Sequence, residues 1–178
     1  FVSYGTMAKE FLVDLGVCPA KIFIEYNTVD VQPMMENCEK ENCLDPTKRL
    51  ELKTKLGLSG KVILYVGQLI ERKNLKTLIK SFEILSEKDK EINLVLVGDG
   101  NQKSELIDYV NTRCVENVSF VGGLPFDNVA EYYMAADVLV VLSTLEPWGL
   151  VINEAMSFGC PIVVSKNCGC SQDLLRGN

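Results

Sequence analysis

Glu146 and Glu154 stand eight residues apart in the segment 143–161, on either side of Gly149. An apolar run from Asp137 to Leu142 precedes them, and a second run, Ile162 to Val164, follows. The pattern predicts a strand, a loop holding Glu146, then a helix over Gly149 to Phe158 holding Glu154. The N–H groups that open a helix have no partner within it and favour an anion. Carboxylates accept hydrogen bonds and cannot donate them when ionised, so beside that anion site they suit hydroxyl groups. A phosphate together with several hydroxyls is the outline of a sugar nucleotide. Spacing alone proves little, because Glu83 and Glu91 are also eight residues apart. The alternative reading makes both carboxylates solvated, with Glu146 only favouring the helix dipole. Trp148, between them, is a residue type more often used for packing than for function.

The elements that must position these groups follow a regular pattern from Lys61 onward. Apolar strands are predicted at 62–66, 94–97, 118–121, 138–142 and 162–164, with helices at 75–85, 102–114, 129–135 and 149–158. Strands buried on both faces that alternate with helices give a parallel sheet covered on both sides. Right-handed crossovers make it an α/β, Rossmann-like, doubly wound parallel sheet. Ligands of such sheets bind beyond the carboxyl ends of the strands, so functional residues are expected in the loops there.

In the first loop Gly67 permits close backbone approach, and Lys73 could place a point charge on a diphosphate. A surface lysine ahead of an Asn74 helix cap is the competing reading. Gly98, in Val97-Gly-Asp-Gly100, belongs to no Gly-x-Gly-x-x-Gly fingerprint and could equally form a plain turn. After the third strand, Val121 and Gly122 could bring backbone to a nucleobase, or Gly122-Gly123 could simply be a sharp exit.

Residues 1–30 predict a small unit with a helix from Thr6 to Leu15, capped by Thr6 and stopped by Gly16. Residues 31–60 read as a polar linker with one helix, Pro46 to Leu56, and residues 61–178 as the Rossmann-like domain. The 178 residues are 47% hydrophobic with a net charge of −6. Scattered Lys and Arg with no basic stripe argue against nucleic acid and anionic membrane as partners. No apolar run is long enough to span a bilayer. Seven cysteines at irregular spacing without any histidine fit neither a disulfide framework nor a zinc site, and are expected to be reduced thiols of a cytoplasmic protein. The chain starts at Phe1 without Met, so we expect a fragment.

The run from Glu146 to Pro161 strongly resembles the Glu-x7-Glu signature of retaining GT-B glycosyltransferases, family four (group 1). Tyr65 to Asn74 looks like that family's first phosphate loop. Val97-Gly-Asp-Gly100, Val118 to Gly122 and Tyr133-Met-Ala-Ala-Asp137 appear in its order, and Ile24 to Asp30 resembles its interdomain crossover. The resemblance implies the C-terminal, donor-binding half of a GT-B fold with a small remnant of the N-terminal, acceptor-side domain. By that resemblance Glu154 and Val151 would meet the nucleotide, and Glu146, Trp148, Gly149 and Leu150 the donor sugar. Gly67, Gln68 and Lys73 would lie on the diphosphate, with Gly98, Val121 and Gly122 near the nucleoside.

The implied function is transfer of a sugar from a nucleotide-diphosphate donor, with retention, by a hexosyltransferase. The acceptor would be a glycan, lipid or small molecule. No cofactor and no metal are expected, and the catalytic residues on the acceptor side would lie outside this chain, leaving the fragment inactive alone. Peripheral membrane contact would come only through the missing domain. Gln68 stands where the family usually has Arg, and Asn153 where it has an apolar residue. A sugar-nucleotide epimerase on the same fold and a non-catalytic sugar-nucleotide-binding domain are the alternatives. A nicotinamide-dependent oxidoreductase is disfavoured by the missing glycine fingerprint.

Overall fold

The computed structural model describes residues 1–42 and 44–175. Its main sheet has five parallel strands among the described residues, β3 (Lys61–Val66), β4 (Ile92–Val97), β5 (Val118–Gly122), β6 (Val138–Val141) and β7 (Ile162–Val164). Their order across the sheet is β5-β4-β3-β6-β7. Helices α4 (Leu75–Lys88), α5 (Lys103–Thr112), α6 (Phe126–Ala135) and α7 (Leu150–Ser157) make the crossovers, and α8 (Ser171–Leu174) follows β7. The α/β parallel architecture expected from the alternating pattern is therefore the one the chain adopts.

Burial explains the continuous apolar strands. Leu64, Leu94, Val95, Leu96 and Leu139 are completely enclosed, because helices cover both faces of the sheet. Each such side chain contributes about 1.5–3 kcal/mol of transfer free energy. The two faces hold separate clusters. Leu64, Val95, Leu139, Tyr133, Ile152 and Phe158 lie in one, and Tyr65, Leu94, Leu96, Ile79, Phe82 and Leu106 in the other.

The strand order creates a reversal. From β3 the chain runs outward through β4 and β5, then returns to place β6 on the opposite side of β3. The register Ile63↔Val138 and Leu64↔Leu139 joins those two central strands. Their exit loops must diverge, and a doubly wound sheet opens its ligand crevice at that point.

The segment 31–60 corrects the expectation of a linker with one helix, since it forms two, α2 (Val31–Lys40) and α3 (Pro46–Lys55). Asp30 caps α2 by accepting from Gln32 N–H, and Asp45 caps α3 by accepting from Thr47 N–H. Pro33 is tolerated because it lies in the first turn of α2, where a missing N–H costs nothing within the helix. Met34, Cys38 and Leu52 are buried in the domain core. Lys53, 8% exposed, donates to Asp137 Oδ2 at 2.6 Å and to the Gly60 carbonyl at 2.7 Å. Asp137 also accepts from Val62 N–H at 2.7 Å, so this node ties α3 to the amino ends of β3 and β6. Cys38 is disulfide-bonded, which departs from the expectation of reduced thiols, while Cys18, Cys114, Cys160, Cys168 and Cys170 are free. Cys43 lies outside the described residues.

Residues 1–30 form the parallel pair β1 (Val2–Ser3) and β2 (Phe23–Ile24) with α1 (Thr6–Asp14) beside them. Gly16 ends α1 in a left-handed conformation, as expected, with Val17 N–H bonded to the Leu12 carbonyl. Thr6 is not the cap. The flanking residue is Gly5, and the acceptor for Thr6 N–H is the distant Asp173 Oδ2 at 2.8 Å. Thr6 Oγ1 donates to Asp173 Oδ1 at 2.5 Å. No helix among the described residues is long and apolar enough to cross a membrane.

Candidate functional site

Four strand-exit loops are stitched together at the carboxyl end of the sheet. Gly67 N–H donates to the Val97 carbonyl at 2.9 Å, and Leu69 N–H to that of Asp99 at 2.9 Å. Gly98 N–H reaches the Gly122 carbonyl at 2.8 Å, and Thr144 N–H the Arg72 carbonyl at 2.8 Å. Gly67, Gln68, Lys73, Gly98, Val121, Gly122 and Glu146 therefore border one continuous face. Gly98 is required twice over: its φ is 141°, and a Cβ there would overlap the Gly67 carbonyl.

The crevice between β3 and β6 is spanned by charge. Lys73 Nζ donates to Glu146 Oε2, and Arg72 Nη1 donates to the same oxygen at 3.2 Å. Arg72 Nη1 also reaches the Leu145 carbonyl at 3.1 Å. The Lys73 and Glu146 side chains are each only 11% exposed, whereas Arg72 is 41% exposed. A lysine so enclosed is not the solvated surface residue of the competing reading. Two cations on one carboxylate leave a local surplus of one positive charge, which suits an arriving anion. Arg72 enters the sequence reading only inside the motif Tyr65 to Asn74; its partner lies 74 residues away.

The backbone around Gln68 is fixed from below. Tyr65, 1% exposed, donates its hydroxyl to the Gln68 carbonyl at 2.8 Å. Burial and the negative charge of Glu146 hold the Tyr65 phenol well above its usual range, so it remains a donor. The Gln68 residue itself is exposed.

Glu146 gains its rigidity from the segment after β7. Gly169 N–H donates to the Glu146 carbonyl at 2.8 Å, and Glu146 N–H to that of Asn167 at 3.3 Å. Cys168 and Cys170 are fully buried beside this bridge. Burial raises both thiols, Cys170 to about 12, and raises Cys160 to about 11. All three are enclosed, and burial disfavours their thiolate forms. Among the described residues no cluster of three or more His, Cys, Asp or Glu is arranged to hold a metal.

Gly149 opens α7 in the left-handed conformation at φ 99°. Leu150, 36% exposed, and the half-buried Val151 begin the helix. Glu154 lies one turn further on and is half-buried. Its Oε2 accepts from the hydroxyl of Tyr133, on α6, at 2.6 Å. The Tyr133 ring is completely buried and stacked on Phe158, with centroids 5.7 Å apart. Tyr133 entered the sequence reading only as part of a motif, not as a site residue.

Trp148 corrects its expected place on a donor sugar. It is 2% exposed, with its indole N–H on Asn153 Oδ1 at 2.9 Å and its ring 6.0 Å from that of Tyr26. A Cβ at Gly5 would collide with its six-membered ring. The side chain is enclosed in packing and presents no surface to a ligand. Asn153, polar where an apolar residue was expected, serves as the acceptor that a buried indole N–H requires. A separate groove along β7, lined by Met156, Cys160, Val163 and Leu174, contains none of the site residues.

A profile of the family Glycosyl transferases group 1 matches residues 48–175. Mannosylfructose-phosphate synthase of Agrobacterium fabrum is 32% identical over 134 residues, covering 70% of this chain and 29% of that protein. Alpha-monoglucosyldiacylglycerol synthase of Streptococcus pneumoniae is 32% identical over 121 residues, covering 66% of this chain and 27% of that protein. The chain thus spans under a third of the length of these relatives. Among solved structures, Anabaena Alr3699/HepE in complex with UDP superposes with a TM-score of 0.78 at 23% identity, covering 96% of this chain and 46% of that one.

Proposed function

The chain belongs to the group 1 glycosyl transferases, and from that premise we propose that its crevice binds a nucleotide-diphosphate sugar for transfer to an acceptor. The observation that carries this reading is the pair of cations, Arg72 and Lys73, facing Glu146 across the reversal between β3 and β6. A diphosphate can take over the cations and the first N–H groups of α7. Glu146, released from them, then accepts from hydroxyls of the donor sugar, and Glu154 accepts from ribose hydroxyls. Gly67 and the Gln68 backbone lie beside the diphosphate; Gly98, Val121 and Gly122 offer backbone to the nucleoside. Leu150 and Val151 contribute through their amides.

A UDP-sugar is the donor we favour, supported by the UDP complex of the similarly folded Anabaena protein. We further propose hexosyl transfer with retention of configuration, as in the glycosyltransferases of family four. Nothing in this scheme requires a metal, since Arg72, Lys73 and the helix amides can balance the leaving diphosphate. Acceptor-side catalytic groups would come from outside the matched segment, which covers only 29% and 27% of those relatives.

Thermal melts of the whole protein with UDP, GDP and ADP test the donor site. A ligand at 100 times its Kd stabilises by about 2.7 kcal/mol. We expect UDP to shift the transition and Glu154→Ala to reduce that shift. No shift with any of the three nucleotides would refute the reading.

A further inference from the structure

Glu154 is fixed by one side-chain donor among the described residues, and that donor is a neutral phenol. We propose that Tyr133 is a positioning residue for ribose recognition, holding Glu154 Oε2 so that Oε1 is presented to the ribose hydroxyls of the nucleotide. The inference rests on the reading of Glu154 given above and extends it to a residue on another helix.

The geometry separates this role from ordinary packing. Glu154 Oε1 has no hydrogen bond among the described residues, whereas Oε2 is held at 2.6 Å. The Tyr133 hydroxyl cannot wander, because its ring is enclosed and stacked nearly parallel to Phe158 at an interplanar angle of 10°. A glutamate on a helix surface otherwise samples many rotamers, and a ligand must then bear the entropy of ordering it. A donor already on one oxygen removes that loss and turns the other oxygen in a set direction. Burial and the adjacent Glu154 charge keep the phenol protonated far above neutral pH, so the donor role persists throughout the working range. A cation at this position would instead compete with the ribose hydroxyls for the carboxylate, as Lys73 and Arg72 compete at Glu146.

The test uses Tyr133→Phe, which keeps the ring and its stacking and removes one oxygen. Binding of UDP and 2′-deoxy-UDP to the whole protein is measured by calorimetry for the native protein, Tyr133→Phe, Glu154→Ala and the double variant. The native protein should prefer UDP, and Tyr133→Phe should lower that preference by about 10-fold, the low end for loss of a hydrogen bond to a charged group. In the Glu154→Ala background the same substitution should leave the preference unchanged, a non-additivity that general loosening of the fold would not produce. If Tyr133→Phe retains the native preference while Glu154→Ala abolishes it, the positioning role is overturned and the ribose reading stands. If the native protein binds UDP and 2′-deoxy-UDP equally and Glu154→Ala changes neither, the ribose reading fails and this inference with it. Should Tyr133→Phe lose its thermal transition, Tyr133→Trp does not substitute for it; Glu154→Gln, which keeps an acceptor for the phenol, should then retain more of the preference than Glu154→Ala, and equality of the two would overturn the proposal.

Discussion

Glu146 and Glu154 are the same residue type at the two ends of one short loop and helix, yet their surroundings are opposite. Glu146 lies on a strand exit, enclosed with two cations on one oxygen. Glu154 lies on a helix face with a single neutral donor. The first arrangement stores charge that a ligand must displace; the second leaves an acceptor ready for use. The difference shows that a carboxylate's task is set less by its spacing than by what meets it from other elements.

Substitutions can break this contrast at several strengths. The largest effect should come from Glu146→Gln, which leaves the enclosed Lys73 without its counter-charge. We expect a loss of about 2–3 kcal/mol in chemical denaturation, below the full range for a deeply buried pair because Arg72 is half-solvated. A loss no greater than that of Glu154→Gln would erase the distinction. Gly149→Ala acts on the turn shared by both glutamates. The left-handed backbone and a contact of 3.0 Å to Ile152 Cδ1 should lower stability by about 1–2 kcal/mol and weaken the nucleotide-induced thermal shift. Glu154→Gln should cost about 1 kcal/mol or less, since an amide oxygen still accepts from Tyr133.

The smallest effect concerns an ion pair outside the contrast, Asp99–Lys103, which sharpens it by showing what exposure does. The Lys103 hydrogen bond, aided by Gly100 N–H, holds the Asp99 carboxyl below its ordinary value of 3.8. A depressed carboxylate stabilises the fold above its unfolded value, and that stabilisation disappears as pH falls through the folded one. Asp99→Asn should therefore lower Tm slightly at pH 7, with the gap to the native protein closing below about pH 3.8. A gap that widens in acid would contradict this assignment.

The strands were legible because a buried parallel sheet demands continuous apolar runs, and β7 is found at Ile162–Val164, the range expected. Positive-φ glycines and loop positions were legible for similar local reasons. The helix α2 was missed because its polar composition hid a buried pair, Met34 and Cys38, spaced one turn apart. The site was legible only in part. Lys73 and Glu154 could be named, but Arg72 and Tyr133 act through partners on other elements, and Tyr65 through a backbone carbonyl that no pattern marks. Trp148 misled for the converse reason: an aromatic beside a ligand loop can face either way, and Asn153, Tyr26 and Gly5 decide it.

The cap of α1 has a consequence for how the protein is made. Its acceptor, Asp173, follows Thr6 by 167 residues. At 5–20 residues per second, a ribosome needs roughly 8–33 s to supply it. During that interval α1 has no partner for its first N–H groups from this source, and Phe11 and Leu15, exposed even in the finished fold, have little to hold them in place. The cap of α1 is thus complete only once a segment 167 residues further on has been made, and stalling the nascent chain with Asp173 inside or outside the ribosome should divide the protease sensitivity of α1 into two regimes.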